Sequence, residues 1–307
     1  MCAKSSKFIR SPFNYTGGKY KILDQIICHF PQIKTFYDVF AGGGSVFVNT
    51  KAEKFVVNDI DKNLISLYKF LYSIKYEKLI NLIENEIKKY NLSNTYKYSY
   101  AHYSSDSSRG LGSFNKFPYA RLKEDFNSDQ DNSLLFFLLI CYGFNNQIRY
   151  NSKGYFNIPV GKRDFNSSVR KNLCDFLNSL QCKEIKFTSS SFTEINYKNI
   201  SKQDFLYFDP PYLITNASYN EGGKWNKENE LALLETLDYL LKQKIGFALS
   251  NMLSVSDLKN EYLNYWLRIN KNNINIHTIN SNYSNSNYQK KLNRPFLEKE
   301  ILVTSKL

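Results

Sequence analysis

The sequence predicts an α/β fold: a Rossmann-like sheet flanked by helices, with an inserted, mainly helical region that carries a β-hairpin. Three observations lead there. A short apolar run, FYDVF at 36–40, passes into the glycine turn AGGGS at 41–45 and then into a further apolar segment. A second run, FVVND at 55–59, ends on a carboxylate and precedes residues 61–74, whose apolar side chains fall at helical spacing. Strand, glycine turn, helix and acid-terminated strand in that order open a Rossmann-like sheet. The rhythm then lapses between 75 and 185 and resumes beyond it, which marks the insertion.

Taken in order, residues 1–20 read as extended chain ending in Gly17-Gly18-Lys19, and a helix follows to about Phe30. The insertion holds helical patterns, a polar loop at 104–113 and the apolar helix LLFFLLICYGF at 134–144. Residues 148–162, IRYNSKGYFNIPVGK, read as a β-hairpin turning at Ser152-Lys153-Gly154. Alternation returns with EIKFTSSSF (184–192), DFLYFDPPY (204–212), a helix over 227–243 and IGFALSN (245–251). The C-terminal stretch reads as two strands joined by a polar loop whose Asn and Ser content cannot build a core, so mobility is expected there. The predicted domains are 1–74 with 186–307, and 75–185.

The formal net charge is +13, spread along the chain rather than gathered in a tail. This points to a folded basic face and a polyanionic partner, or to an enzyme that is simply basic. No apolar run is long enough to span a bilayer, and the N-terminal residues lack the apolar stretch of a secretory signal, so a cytoplasmic protein without membrane contact is expected. The five cysteines form no CxxC pair and the three histidines complete no zinc spacing, so no metal site is expected. No cysteine follows a proline, which disfavours carbon-5 cytosine methylation, a chemistry that needs a thiolate nucleophile.

Two clusters could carry chemistry. Glycines 42–44 let backbone approach a ligand, and Asp59 at a strand end is placed to accept from a ribose. Together they fit an adenosine-type cofactor, although such a turn also serves as a tight turn alone. The second cluster is Asp209-Pro210-Pro211-Tyr212, leaving a buried strand. Neither proline has an N–H to donate and both are stiff. Asp209 and the Pro210 carbonyl can therefore act as a fixed pair of acceptors for the two hydrogens of an aromatic amine, keeping its lone pair available, while Tyr212 can stack on the base. The plain alternative is a proline-rich turn after a strand. Residues 213–226, with Gly222, Gly223, Tyr219 and Trp225, are expected to form a mobile lid that offers aromatic surface.

The order of these motifs resembles the Dam-like, alpha-arrangement family of adenine-specific DNA methyltransferases. The matching pieces are NYTGGKY (14–20), DVFAGGGSVFVN (38–49), VNDIDKNLISLY (57–68), FNNQIRYNSKGYFNIPVGK (144–162), SSSF (189–192), DPPY (209–212) and LSN (249–251). The resemblance implies an S-adenosylmethionine-dependent methyltransferase sheet with an inserted target-recognition domain, acting on the 6-amino group of a flipped adenine in a short duplex site, with GATC as the first expectation. It implies that Tyr15, Gly17 and Lys19 lie beside the methionine end of the cofactor. Phe40 and Gly42, Gly43 and Gly44 would line its pocket, Asp59 would hold the ribose, Ser191 and Phe192 would enclose the adenine, and Asp209 would border both cofactor and base. The DNA-facing set is Asn14, Phe144, Asn145, Arg149, Lys153, Pro159 and Lys162. Phe144 would wedge into the duplex, Asn145 would steady the opened pair, and Arg149 would read a base edge, an interaction worth about 1–3 kcal/mol in discrimination. The family often has Trp at the place of Tyr15 and Lys at that of Asn14. Implied partners are duplex DNA, engaged by a monomer, and a cognate restriction endonuclease acting separately. Three rivals remain open: an RNA amino-methyltransferase, a nicotinamide dehydrogenase using the glycine turn, and a catalytically dead DNA-binding module.

Overall fold

The computed structural model describes residues 8–13, 15, 17–214, 225–255, 258–280 and 298–306. Asn14, most of the expected 213–226 lid and the polar loop before the last strand lie outside the described residues. In chain order the elements are α1 (Leu23–Ile27), β1 (Thr35–Asp38), α2 (Ser45–Asn49), β2 (Lys54–Asn58), α3 (Lys62–Ser73), α4 (Tyr76–Tyr90), α5 (Gly112–Ser128), α6 (Ser133–Tyr142) and α7 (Ser167–Gln181). There follow β3 (Glu184–Thr188), β4 (Phe205–Phe208), α8 (Lys227–Gln243), β5 (Gly246–Val255), β6 (Leu258–Lys259), α9 (Glu261–Ile269), β7 (Ile274–Ile279) and β8 (Glu298–Ser305).

The chain divides into two compact units, one of 1–18, 42–48 and 61–183, the other of 19–41, 49–60 and 184–307. The second holds the sheet, in the order β3-β2-β1-β4-β5-β8-β7 with β6 paired to β5. The five strands from β3 to β5 run parallel; β8 is antiparallel to both β5 and β7. The middle strands are buried without alternation, all four residues of β4 and the first eight of β5, as expected of strands covered on both faces. Strand order reverses between β1 and β4, so the chain leaving these two strands emerges side by side at the carboxyl edge, where ligands bind in such sheets. The Val39 amide donating to the Tyr207 carbonyl (3.0 Å) fixes that junction.

Helix α8 begins where Asn226 and Asn229 cap each other and ends where Lys244 turns left-handed (φ 56°). Its Leu233, Leu234, Leu237 and Leu240 pack into the same core as Leu206, Phe208, Phe247 and Leu249 of β4 and β5. Helix α1 stops at Ile27, short of the expected Phe30. Pro31 explains this, because the residue before a proline is pushed out of the helical region.

In the other unit α6 is buried over eight consecutive residues, so it shows no amphipathic period. Phe13 packs edge-on against Tyr68, Phe137 and Phe176 at its centre. This unit also takes in 61–74, upstream of the 75–185 segment read from the sequence. The expected hairpin turns where foreseen, with Gly154 at φ 78°. Its arms, however, are held by the isolated bridges Tyr150–Phe156 and Gly143–Val160 rather than by continuous strands. No helix among the described residues is long and apolar enough to cross a membrane.

Candidate active site

Asp209 is the first residue beyond the buried β4 ladder. Pro210 cannot extend the ladder, having no N–H, so the chain turns there. The Asp209 carboxylate meets Lys19, whose ammonium lies 2.9 Å from Oδ1. Lys19 opens a 3-10 turn and is only 4% exposed. Glu300 of β8 stands 3.8 Å from the same ammonium, with its side chain fully buried. The Tyr212 hydroxyl is within 3.2 Å of Asp209 Oδ1 and 3.1 Å of Glu300 Oε1, and the Lys19 ammonium sits 5.2 Å from the centre of the Tyr212 ring. Burial raises the Asp209 carboxyl above its ordinary range, the Lys19 charge opposes this, and Glu300 adds to it. Tyr212, expected to offer a stacking face, is only 6% exposed. The sequence placed Lys19 beside a cofactor; the structure joins it to the tetrad.

The second cluster gathers at the ends of β1, β2 and β3. Asn58 donates to the carbonyls of Val39 and Ser190, both at 3.0 Å, and accepts from the Thr188 hydroxyl (2.9 Å) and from Ser190. This one buried amide locks three strand ends together and so fixes Asp59, which follows it and is 8% exposed. Phe40, half-buried, packs on Phe192 at 5.5 Å and on Trp225 at 5.8 Å between ring centroids. Trp225 is itself 6% exposed and donates its indole N–H to Glu230 (2.7 Å). The expectation that Trp225 offers surface to a base or duplex is therefore corrected: it is a core residue. The Ser191 hydroxyl caps the 3-10 turn Phe192–Glu194 in a capping box with Glu194.

The glycine turn belongs to the other unit. A Cβ on Gly43 would stand 2.7 Å from Cβ of Tyr15, and one on Gly44 would stand 2.8 Å from Phe47. Gly44 also has φ 77°, so side chains are excluded both by packing and by backbone. Tyr68 donates its hydroxyl to the Gly42 carbonyl. Gly17 is exposed at φ 78°.

In the hairpin region Phe144 is 43% exposed. It precedes Asn145 and Asn146, both left-handed, and its amide donates to the Pro159 carbonyl (2.8 Å). Arg149 Nε donates to Asn157 Oδ1 (2.9 Å). Lys153 is exposed at the turn, and Lys162 donates to the Ser108 carbonyl (3.2 Å). Among the described residues no group of three or more His, Cys, Asp or Glu is placed to hold a metal ion.

Residues 15–285 match the sequence profile of the D12 class N6 adenine-specific DNA methyltransferases. The chain belongs to this family. It is 34% identical to the modification methylase StsI of Streptococcus sanguinis over 89% of this chain and 40% of that protein. It is 35% identical to the type II methyltransferase M.FokI of Planomicrobium okeanokoites over 86% of this chain and 39% of that protein. The chain thus spans about two fifths of the length of these relatives. The DNA adenine methylase of Salmonella typhi is 28% identical over 79% of this chain and 80% of that protein.

Sequence reasoning missed Asn58, Glu230 and Glu300. Glu230 carried a readable signal, since it shares the helical stripe of Leu233, Leu234 and Leu237. Nothing local marks Glu300.

Proposed function

We propose that this chain transfers a methyl group from S-adenosylmethionine to the 6-amino group of an adenine flipped out of a short duplex DNA site, with GATC the first site to test. The observation that carries this reading is a carboxylate and a proline carbonyl at the reversal of strand order, Asp209 and Pro210, in a member of this family. In that place two rigid acceptors take the amine hydrogens and hold the nitrogen lone pair toward the incoming methyl group, so positioning supplies much of the rate. The residues fit the cofactor. Asp59 offers a carboxylate for the ribose, Phe40 and Phe192 offer rings for the adenine, and Lys19, Asp209 and Glu300 together leave one negative charge suited to a sulfonium. When bound, the cofactor supplies a methyl group already attached to its leaving group. Tyr15, Gly17, Gly42, Gly43, Gly44 and Ser191 complete the assigned cofactor set.

Residues 75–185 are assigned to target recognition. Phe144 and Asn145, exposed on a left-handed turn, fit wedging into the duplex; Lys153 and Lys162 fit phosphate contact. The names of the relatives favour a modification role; a cognate endonuclease acting separately is assigned as its counterpart, with the chain engaging DNA as a monomer in the cytoplasm. Incubation with methyl-labelled S-adenosylmethionine and either duplex DNA or RNA, followed by nucleoside analysis, tests the reading. Labelled N6-methyladenine in DNA is expected; label in RNA alone would overturn it.

Two variants probe the assignments. Asp59→Ala is expected to weaken S-adenosylmethionine binding by about 1.5–3 kcal/mol, roughly ten- to a hundredfold, because a charged acceptor is lost. Unchanged calorimetric affinity in the folded variant would remove Asp59 from the ribose. Arg149→Ala is expected to relax preference at one base pair by about 1–3 kcal/mol while changing nonspecific affinity less. An unaltered preference across all single-base variants of the site would leave Arg149 as a brace of the loop through Asn157.

A further inference from the structure

Two carboxylates, Asp209 and Glu300, face the Lys19 ammonium beside the Asp209-Pro210-Pro211-Tyr212 turn. Glu300 lies between Met252 of β5 and Ile279 of β7, followed by Ile301, Leu302 and Val303, and its side chain is wholly shielded from solvent. Such a place in a sheet is poor for a charge unless partners are at hand. Two of its partners also serve Asp209. The Lys19 ammonium is 2.9 Å from Asp209 and 3.8 Å from Glu300. The Tyr212 hydroxyl is at hydrogen-bond distance from both carboxylates, yet it has one proton and donates to one of them at a time.

We propose that Glu300 is a positioning residue that sets the acceptor strength of Asp209, by competing for the Lys19 charge and the Tyr212 proton. This rests on the reading of Asp209 as acceptor of the amine hydrogens. An ammonium committed wholly to Asp209 would weaken it as an acceptor. A second carboxylate that draws off part of that charge, and adds its own negative field, restores the basicity of Asp209. No bond is made or broken at Glu300. Asp209 is itself raised by burial, with Glu300 adding. The other ionisable groups around the pair do not replace this effect. Tyr207 shares its hydroxyl with Ser250 at 2.8 Å and is kept protonated by burial. Asp38 acts on Tyr207 from β1. On β7 His277 is bonded to Thr304, and on β8 Lys299 is exposed.

The test is single-turnover methyl transfer to duplex DNA, at saturating S-adenosylmethionine, as a function of pH. Wild type should show an acid limb above the ordinary carboxylate range; a limb at or below that range overturns the proposal without any variant. Glu300→Gln keeps the shape and removes the charge. It should slow the plateau rate roughly tenfold and move the acid limb down by about one pH unit, since loss of a like charge lowers the pKa of Asp209. Glu300→Asp keeps the charge and should leave the limb in place. Equal rate and limb in Glu300→Gln and wild type overturn the proposal. So does a loss of rate in both variants with unmoved limbs, the mark of a merely structural role. Asp209→Ala separates the two readings. If it is inactive while Glu300→Gln behaves as wild type, only Glu300 loses its role; if it keeps the wild-type rate, the acceptor reading falls with it.

Discussion

Asp209→Ala is expected to reduce the single-turnover rate of methyl transfer by about 10³-fold, the scale seen when one prearranged hydrogen-bonding group is lost from a reacting centre. S-adenosylmethionine affinity should fall less than the rate, because the alanine removes one charge near the sulfonium but leaves Asp59, Phe40 and Phe192 in place. The fold should tolerate the change: Asp209 lies past the β4 ladder and its side chain is 18% exposed. The variant does strand part of the Lys19 charge, but Glu300 remains 3.8 Å away to receive it. Rapid quench with labelled cofactor, set beside calorimetric binding, separates the two effects. A rate within tenfold of wild type in a folded protein would move the catalytic centre away from the tetrad.

The parts of the fold that could be read from sequence are those whose stabilisation is local or periodic. FLYF and GFALSN are apolar without alternation because both faces of β4 and β5 are buried, and the run itself signals that. Helix α8 announces both ends through its caps. The hairpin region misled for a definite reason. The arms are bonded to each other only next to the turn, from the Asn157 amide to the Arg149 carbonyl (3.0 Å) and from the Asn151 amide to the Tyr155 carbonyl (2.9 Å), while the outward-facing amide and carbonyl of Phe156 go to the side chain of Asn127 on α5 (2.8 and 3.0 Å). A side-chain amide distant in sequence thus covers the outer edge of that arm, and no pattern within 148–162 reveals it.

The site divides along the same line. Asp209, Pro210 and Asp59 sit at strand ends, where pattern and chemistry coincide. Glu300 follows two charged residues, Glu298 and Lys299, and by composition reads as the solvated start of a strand. Only the antiparallel placement of β8 against β5 carries it inside. Trp225 likewise reads as surface because its neighbours are polar, while its partner Glu230 and its ring contacts with Phe40 and Phe192 are tertiary. Burial of a polar or aromatic residue by remote partners is what a single sequence conceals.

Lys19→Met should be the most damaging single change to stability at this site. It keeps the bulk of the side chain and removes the ammonium that faces both carboxylates, Asp209 at 2.9 Å and Glu300 at 3.8 Å. Removing one partner of a buried pair costs about 3–5 kcal/mol, because the charge left behind loses its compensation; the 18% exposure of Asp209 places the expected loss near the lower end, at about 3 kcal/mol. The pH dependence identifies the cause. Asp209 is already raised by burial, and loss of Lys19 raises it further. A folded-state carboxyl above its unfolded value binds protons that the unfolded chain does not, so the stability of the variant rises as pH falls through that raised pKa. The gap between wild type and variant should therefore be widest at neutral to alkaline pH and narrow on acidification. Activity should run the opposite way, because a protonated Asp209 is a poor acceptor: the residual rate of the variant should grow with pH while its stability falls. Urea midpoints and single-turnover rates, each measured across pH on the same preparations, show whether the trends cross. A stability gap that stays constant with pH would mean that Lys19 contributes packing alone and that the carboxylates carry no charge for it to balance.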